Sequence, residues 1–240
     1  MKPGLEIQEL DVFYGEFKAL SQISLKVEEG GIVSLLGANG AGKSTLLNTI
    51  AGLLKVRSGS IRFAGTRIDN LEPHHILESG LALVPEGRQI FSSLTVQENL
   101  LMGSFSRRAR RDRNKAMGKI FYLFPRLRQR CLQMGADLSG GEQQMLAIGR
   151  ALMSQPHLIL FDEISLGLSP IVIKVLFQAV QEINQEGTTV VMVEQDIKRS
   201  LKVAHYAYIL REGKIALEGY PWDLSEEDVK RAYFGLKDEG

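Results

Sequence analysis

The sequence has 240 residues, and its 29 Lys plus Arg against 28 Asp plus Glu leave a net charge of +1. At about 100–200 residues per domain, this length allows one large domain or two small ones. The mean hydropathy of −0.04 and the balanced charge exclude a disordered chain and a dedicated nucleic-acid binder, which needs a global basic field. The one cysteine, Cys131, excludes an internal disulfide and a structural zinc site and fits a reducing compartment, by default the cytoplasm. No uncharged apolar run approaches the roughly 18 residues that would span a bilayer, and the start MKPGLEIQEL lacks the apolar stretch of a signal peptide.

The first elements read as strands. In LEIQELDVFYG, Leu5 and Ile7 lie on one phase and Leu10, Val12 and Tyr14 on the other, so the alternation slips near Glu9, as a bulge or strand break would produce. Ile23, Leu25 and Val27 alternate up to the Glu28 to Gly31 turn; Ile32 to Leu36, short, mostly apolar and bounded by glycine, reads as a strand covered on both faces. Leu46, Leu47, Ile50, Ala51 and Leu54 recur with helical spacing, and Ser58 and Gly59 end that pattern before a strand at Ile61 and Phe63. Leu81 to Val84, Leu158 to Phe161 and Thr189 to Val193 are further runs of the buried parallel kind, each followed by acidic or polar residues. Open parallel sheets place their ligand groups beyond the carboxyl ends of the strands, so those followers are candidates for one site. Between Ser92 and Ser154 helix formers replace the strand signals, which predicts a helical insertion within a single domain spanning 1–240. Tyr206 to Leu210 and Ile215 to Leu217 read as a closing hairpin, and Trp222 with the segment from Glu226 to Leu236 as a helix folded back on the domain. The fold class that follows is α/β: a mainly parallel core sheet, an antiparallel N-terminal sheet and a helical insertion.

Three segments carry chemistry. Gly37-Ala38-Asn39-Gly40-Ala41-Gly42-Lys43-Ser44 matches the phosphate-binding loop pattern between a predicted strand and a predicted helix. Its glycines let backbone N–H groups converge on phosphate oxygens, Lys43 reaches the β and γ phosphates, and Ser44 suits a Mg²⁺ ligand, so the nucleotide-binding stretch is expected to run from Gly37 to Thr45. Leu158 to Phe161 runs into Asp162, placed to hold Mg²⁺, and Glu163, placed to polarise an attacking water. Leu138-Ser139-Gly140-Gly141-Glu142-Gln143-Gln144 precedes an apolar-periodic helix. Ser139 and Glu142 fit a capping box, and the periodicity leaves a plain helix start and a second anion site equally open.

GANGAGKS, LSGGEQQ and LILFDE, in that order and spacing, resemble the ATPase subunit of ABC transporters over essentially the whole chain. That resemblance implies ATP and Mg²⁺ as ligands, and two cassettes packed head to tail with ATP between the phosphate loop of one and the signature of the other. Ser139, Gly140 and Gly141 would then contact the γ-phosphate held by the partner. Tyr14 would match the aromatic residue that stacks on adenine; an edge-strand tyrosine half covered by its neighbours is the alternative. VPEGRQIF, DEISLGLSP, VEQD and RAYFG resemble one of the two unlike ATPases of branched-chain amino-acid importers, a subgroup that also serves urea or amides. The implied partners are a second, unlike ATPase subunit, two transmembrane permease subunits and, indirectly, a solute-binding receptor, with the chain peripheral on the cytoplasmic face of the membrane.

Several positions depart from the wider family pattern. Glu86 stands where a glutamine senses Mg²⁺ and the membrane subunits, Gln195 where a histidine contacts the γ-phosphate, Ser169 where an aspartate follows the catalytic strand, and Ile164 where a proline is common. A glutamine donates a hydrogen bond to phosphate but carries no imidazolium charge, so Gln195 is expected to stabilise the transition state less, and Glu86 adds negative charge beside the metal. A regulatory module with negligible turnover is the competing reading, which Glu163 opposes. Repair and translation ABC ATPases would need long coiled coils or a second cassette in the chain, and neither is present. The basic run from Arg107 to Arg130, with Asp112 as its single acid, lacks an aromatic platform for nucleic acid and reads as a solvated helical face, with anionic lipid headgroups or acidic loops as a secondary partner. Phe121, Tyr122, Leu123 and Phe124 read as packing residues, and the four histidines show no ligand spacing.

Overall fold

The apolar runs become two sheets in the computed structural model, which describes residues 3–235. Strands β1 (Pro3–Tyr14), β2 (Phe17–Glu28), β4 (Ser58–Phe63) and β5 (Thr66–Arg67) form an antiparallel sheet in the order β2-β1-β4-β5. The expected slip at Glu9 is a bulge: Glu9 adopts φ 45, its N–H donates to Ser24 Oγ at 2.9 Å, and the pairing of β1 shifts register between Ile7 and Leu10. The second sheet has the order β10-β9-β3-β8-β7-β6, from β3 (Ile32–Leu36), β6 (Leu81–Val84), β7 (Leu158–Asp162), β8 (Thr189–Val193), β9 (Tyr206–Arg211) and β10 (Lys214–Gly219). All its neighbours are parallel except the β9–β10 hairpin.

The period of two along each central strand divides the interior into two cores. Val33, Leu35, Leu158, Leu160, Val191 and Val193 face the antiparallel sheet and helix α1 (Lys43–Ile50), whereas Ile32, Ile159, Phe161, Val190 and Met192 face a helical layer. Both faces being covered explains why these strands read as continuous apolar runs. The helical layer comprises α3 (Val96–Gly103), α4 (Arg107–Arg111), α5 (Arg113–Leu123), α6 (Pro125–Gln129), α7 (Gly140–Leu152) and α8 (Pro170–Gln185), after a short α2 (Pro73–Ser79). Val96, Leu100, Ile120, Leu127 and Ile148, from the segment between β6 and β7, share one apolar cluster with Ile159 and Phe161 of the sheet. Asn99, fully buried, ties this layer to the loop after β6: its amide donates to the carbonyls of Phe91, Leu94 and Thr95, and its Oδ1 accepts from Phe91 N–H.

Several local expectations change. The first helix stops at Ile50, and Gly52 at φ 77 turns the chain, so Leu54 lies beyond it and packs on the core from a loop. Strand β4 already begins at Ser58, because β1 continues past its bulge and pairs Asp11 with Ser58. Tyr14 ends β1 beyond the last pair with β4, Asp11 with Ser58, so it has β2 on one side only and is 49% exposed, which leaves the half-covered edge position as it was expected. Phe124 is buried, but Tyr122 is 82% exposed, because it lies on the outer side of α5. The basic face is solvated in part: Lys119 pairs with Glu186 at 2.7 Å with both side chains more than half exposed, whereas Arg108 turns inward to the carbonyls of Ser154 and Gln155 and Arg130 pairs with the mostly covered Glu142 at 2.9 Å. Helices α9 (Ile197–Val203) and α10 (Glu226–Phe234) complete the chain. Val229 of α10 packs on Leu36 and Ile209, as a folded-back helix should, while Trp222 lies ahead of it, stacked on Tyr220, and Leu236 falls outside the described residues.

Candidate active site

Because β6, β7, β8 and β3 are parallel neighbours, their carboxyl ends open at one edge of the sheet. Glu86 follows β6, Glu163 follows β7, Gln195 follows β8, and the loop from Gly37 follows β3. A cleft of about 790 Å³ brings together Tyr14, Asn39, Gly40, Gly42, Lys43, Ser44, Thr45, Glu86, Glu163 and Gln195. Gly37, Ala38, Ala41 and Asp162 do not line it; Ala41 and Asp162 are buried behind it. Ser139, Gly140 and Gly141 do not line it either.

The loop is shaped by glycines that no other residue could replace without displacement. Gly37, at φ 153, lies where a Cβ would come within 2.4 Å of Leu210 O, and Gly42, at φ 102, lies where one would meet Leu20 Cδ2 at 2.7 Å. The turn is closed by Ala41 N–H donating to Ala38 O at 3.1 Å, and α1 starts immediately after Gly42. The N–H groups of the first helical turn therefore open onto the cleft, an arrangement that favours an anion. Lys43 is 5% exposed; its Nζ donates to Gly37 O at 2.8 Å and Ala38 O at 3.1 Å and stands 3.7 Å from Glu163 Oε1.

Carboxylates gather beside this cation. Ser44 Oγ donates to Asp162 Oδ1 at 3.0 Å. Burial pushes Asp162 from the ordinary aspartate value of 3.8 up to about 6; the negative charges of Glu163 and Glu86 add to that push, against the Ser44 hydrogen bond and the Lys43 charge. Gln195 Nε2 donates to Glu163 Oε2 at 2.7 Å and lies 3.4 Å from Asn39 Oδ1, so the amide links the end of β8 to the end of β7 and to the phosphate-type loop. Glu163 itself stands at φ 47, a left-handed conformation that costs a non-glycine residue about 1 kcal/mol.

A measurable consequence follows for the nucleotide-free chain. Asp162 binds its proton more tightly folded than unfolded, so its contribution to stability is full when it is protonated and falls away as pH rises from about 4 to about 6. A shift of this size corresponds to roughly 3 kcal/mol at the upper limit. Asp162→Asn, which removes the buried charge and retains an acceptor for Ser44, is expected to melt about 5–10 °C above the unsubstituted chain at pH 8 and at the same temperature at pH 4. Equal melting temperatures at pH 8 would mean that the carboxylate is already compensated.

At the other end of the helical layer, Ser139 caps α7: its hydroxyl accepts from Glu142 N–H at 3.4 Å, and Glu142 Oε2 accepts from Ser139 N–H at 2.9 Å. Both halves of the expected capping box are therefore made. Sequence patterns did not single out Arg88, whose guanidinium lies where a Cβ on Gly140 would meet it at 2.9 Å and whose Nη1 donates to Gln143 at 3.2 Å. It follows Glu86 by two residues, so one loop touches both the cleft and the tip of α7. Its only sequence signal was its place in VPEGRQIF.

Residues 20–165 match the family described as ABC transporter. The high-affinity branched-chain amino acid transport ATP-binding protein BraG of Pseudomonas aeruginosa is 47% identical over 232 residues, covering 96% of this chain and 99% of that protein. Among solved structures, the ADP conformation of an ATP-binding cassette of an ABC transporter superposes with a TM-score of 0.83 at 30% identity, covering 96% of this chain and 94% of that one. A dimeric cassette in a post-hydrolysis state, bound to ADP and Pi, superposes with a TM-score of 0.76 at 28% identity over 90% of this chain and 98% of that one. With a phosphate-type loop, a carboxylate pair and a capped Ser-Gly-Gly helix on this fold, the chain belongs to the ABC transporter family as an ATP-binding cassette, the ATPase that drives transport.

Proposed function

We propose that this cassette hydrolyses ATP to power import of branched-chain amino acids, working from the cytoplasmic face of the membrane with an unlike second cassette and two permease subunits. The observation that carries the reading is the cleft itself, where Glu163 stands within ion-pair reach of Lys43 and within hydrogen-bonding reach of Gln195 at the mouth of a glycine loop. The near full-length identity to BraG supports the solute class. Among the described residues no helix is long and apolar enough to cross a membrane, in keeping with attachment through permease subunits.

In this reading the backbone N–H groups from Gly40 to Ser44 bind the phosphates, Lys43 neutralises the β and γ oxygens, and Tyr14 covers the base from the end of β1. Glu163 orients the attacking water and takes its proton; Gln195 holds the Glu163 carboxylate through Oε2 and leaves Oε1 toward Lys43. Mg²⁺ fits the Ser44–Asp162 pair. The Ser44 hydroxyl and the Asp162 carboxylate, with the charges of Glu163 and Glu86 beside them, are the oxygen donors that would hold the ion, directly or through water. When bound, the ion neutralises charge on the transferring phosphoryl group. Glu86 lies near enough to raise Asp162 and so adds to the pull on a cation. Ser139, Gly140 and Gly141, which do not line this chain's own cleft, serve the nucleotide of the second cassette.

Because Gln195 is neutral and already engaged with Glu163, hydrolysis here is slower than at a site carrying histidine. The test compares ATPase of the chain alone, of Gln195→His and of the mixed cassette pair in vesicles with permease subunits and a branched-chain amino-acid receptor. The expected order is slow, faster, and fastest with the loaded receptor. A vigorous wild-type homodimer unaffected by the substitution would refute the division of labour, and failure of any branched-chain amino acid to stimulate the assembled complex would refute the solute.

A further inference from the structure

Glu194, the first residue beyond β8, is 1% exposed, and the hydrolytic reading gives it no part. Its Oε2 accepts from the hydroxyl of Ser165, two residues past Glu163, while its Oε1 is buried without a partner. A carboxyl in this state is a poor choice for stability, since one unmet buried oxygen costs about 1–3 kcal/mol. Burial, opposed by the Ser165 hydrogen bond and reinforced by the charges of Glu163 and Asp196, pushes it up to about 7, so near neutral pH much of it is uncharged.

The contact lies on one side of a strained residue. On the other side the Glu163 N–H donates to Val193 O at 3.0 Å, and across the top Gln195 Nε2 holds Glu163 Oε2. The segment after β7 and the segment after β8 are thus joined three times, before, at and after Glu163, which keeps φ 47 only because its surroundings leave it no alternative. The Ser165–Glu194 contact is the sole side-chain link of the three that makes no use of the cleft-facing groups.

We propose that Glu194 is a positioning residue: by clamping Ser165, its buried carboxyl holds the turn after β7 so that Glu163 stays aimed at Gln195 and the phosphate loop. The proposal rests on the reading of Glu163 as the group that orients water. Misplacing such a group by an ångström slows turnover without loosening nucleotide that is bound by other residues.

The test is steady-state ATPase of the full chain in its assembled complex, as kcat and KM for MgATP, for Glu194→Leu, Glu194→Gln, Ser165→Ala and the Ser165→Ala/Glu194→Leu pair. Glu194→Leu and Ser165→Ala each lower kcat about 10- to 100-fold with KM within about twofold, and the pair is no worse than the singles. Glu194→Gln, uncharged and able to meet Ser165, restores kcat to within about threefold. If Glu194→Leu does not fold, Ser165→Ala and Glu194→Gln still decide. Wild-type kcat in Ser165→Ala, kcat and KM changing in step, or Glu194→Gln as slow as Glu194→Leu would each overturn the clamp. A Glu163→Gln control separates the two ideas: if it is inactive while the clamp variants are active, only the clamp fails; if it is active, both fail.

Discussion

Replacing Glu163 by glutamine lowers kcat for ATP by about 10²- to 10³-fold while ATP affinity stays within about threefold. The substitution keeps the volume, and its amide oxygen still accepts from Gln195 Nε2, the partner of Glu163 Oε2 at 2.7 Å. What disappears is the proton acceptor and the negative charge that stands 3.7 Å from Lys43. Phosphate binding depends on the loop from Gly37 and on α1, which are untouched, so the ground state is held as before and only the transition state loses. Turnover is read by phosphate release and affinity by titration with a fluorescent nucleotide. Turnover within about threefold of the wild type would move the water-orienting role to another group.

Lys43→Ala weakens ATP binding by about 10²- to 10³-fold, or roughly 3–4 kcal/mol. Lys43 is buried to 5% exposure, and the carbonyls of Gly37 and Ala38 fix its ammonium at the root of the loop. Its loss removes charge-assisted hydrogen bonds to phosphate and leaves Glu163, Asp162 and Glu86 unopposed around a polyanion. Lys43→Arg is expected to fail nearly as badly, because a planar fork does not fit where a single ammonium meets two carbonyls. Calorimetric titration with MgATP measures both. Affinity within tenfold of the wild type for the alanine variant would place the phosphates elsewhere.

Much of the core was legible because its cues are local. Ile32 to Leu36, Leu81 to Val84 and Thr189 to Val193 are strands at those same bounds, since glycine, proline or polar residues flank each run and burial on both faces leaves no alternation to misread. The bulge at Glu9 was visible as a phase slip, and the cap at Ser139 as a three-residue spacing. Leu54 was misplaced because helical spacing persists past Ile50 while the turn at Gly52 is set by close packing on Ile76 and Leu71. Arg108 looked like one more solvated charge, because the carbonyls of Ser154 and Gln155 that it satisfies lie on a distant segment.

The sequence by itself determined the class of the protein: a glycine loop after a buried strand, two carboxylates after another and a capped Ser-Gly-Gly helix are each contiguous, and contiguous residues report their own chemistry. The tertiary structure alone decided which of those groups meet. That Gln195 spends its amide on Glu163, that Glu86 bears on Asp162 and that Glu194 reaches Ser165 all follow from β6, β7, β8 and β3 lying side by side in parallel. Strand order is a non-local outcome of packing, in which residues far apart in the chain become neighbours only when both faces of the sheet are buried, and no spacing within a single segment encodes it.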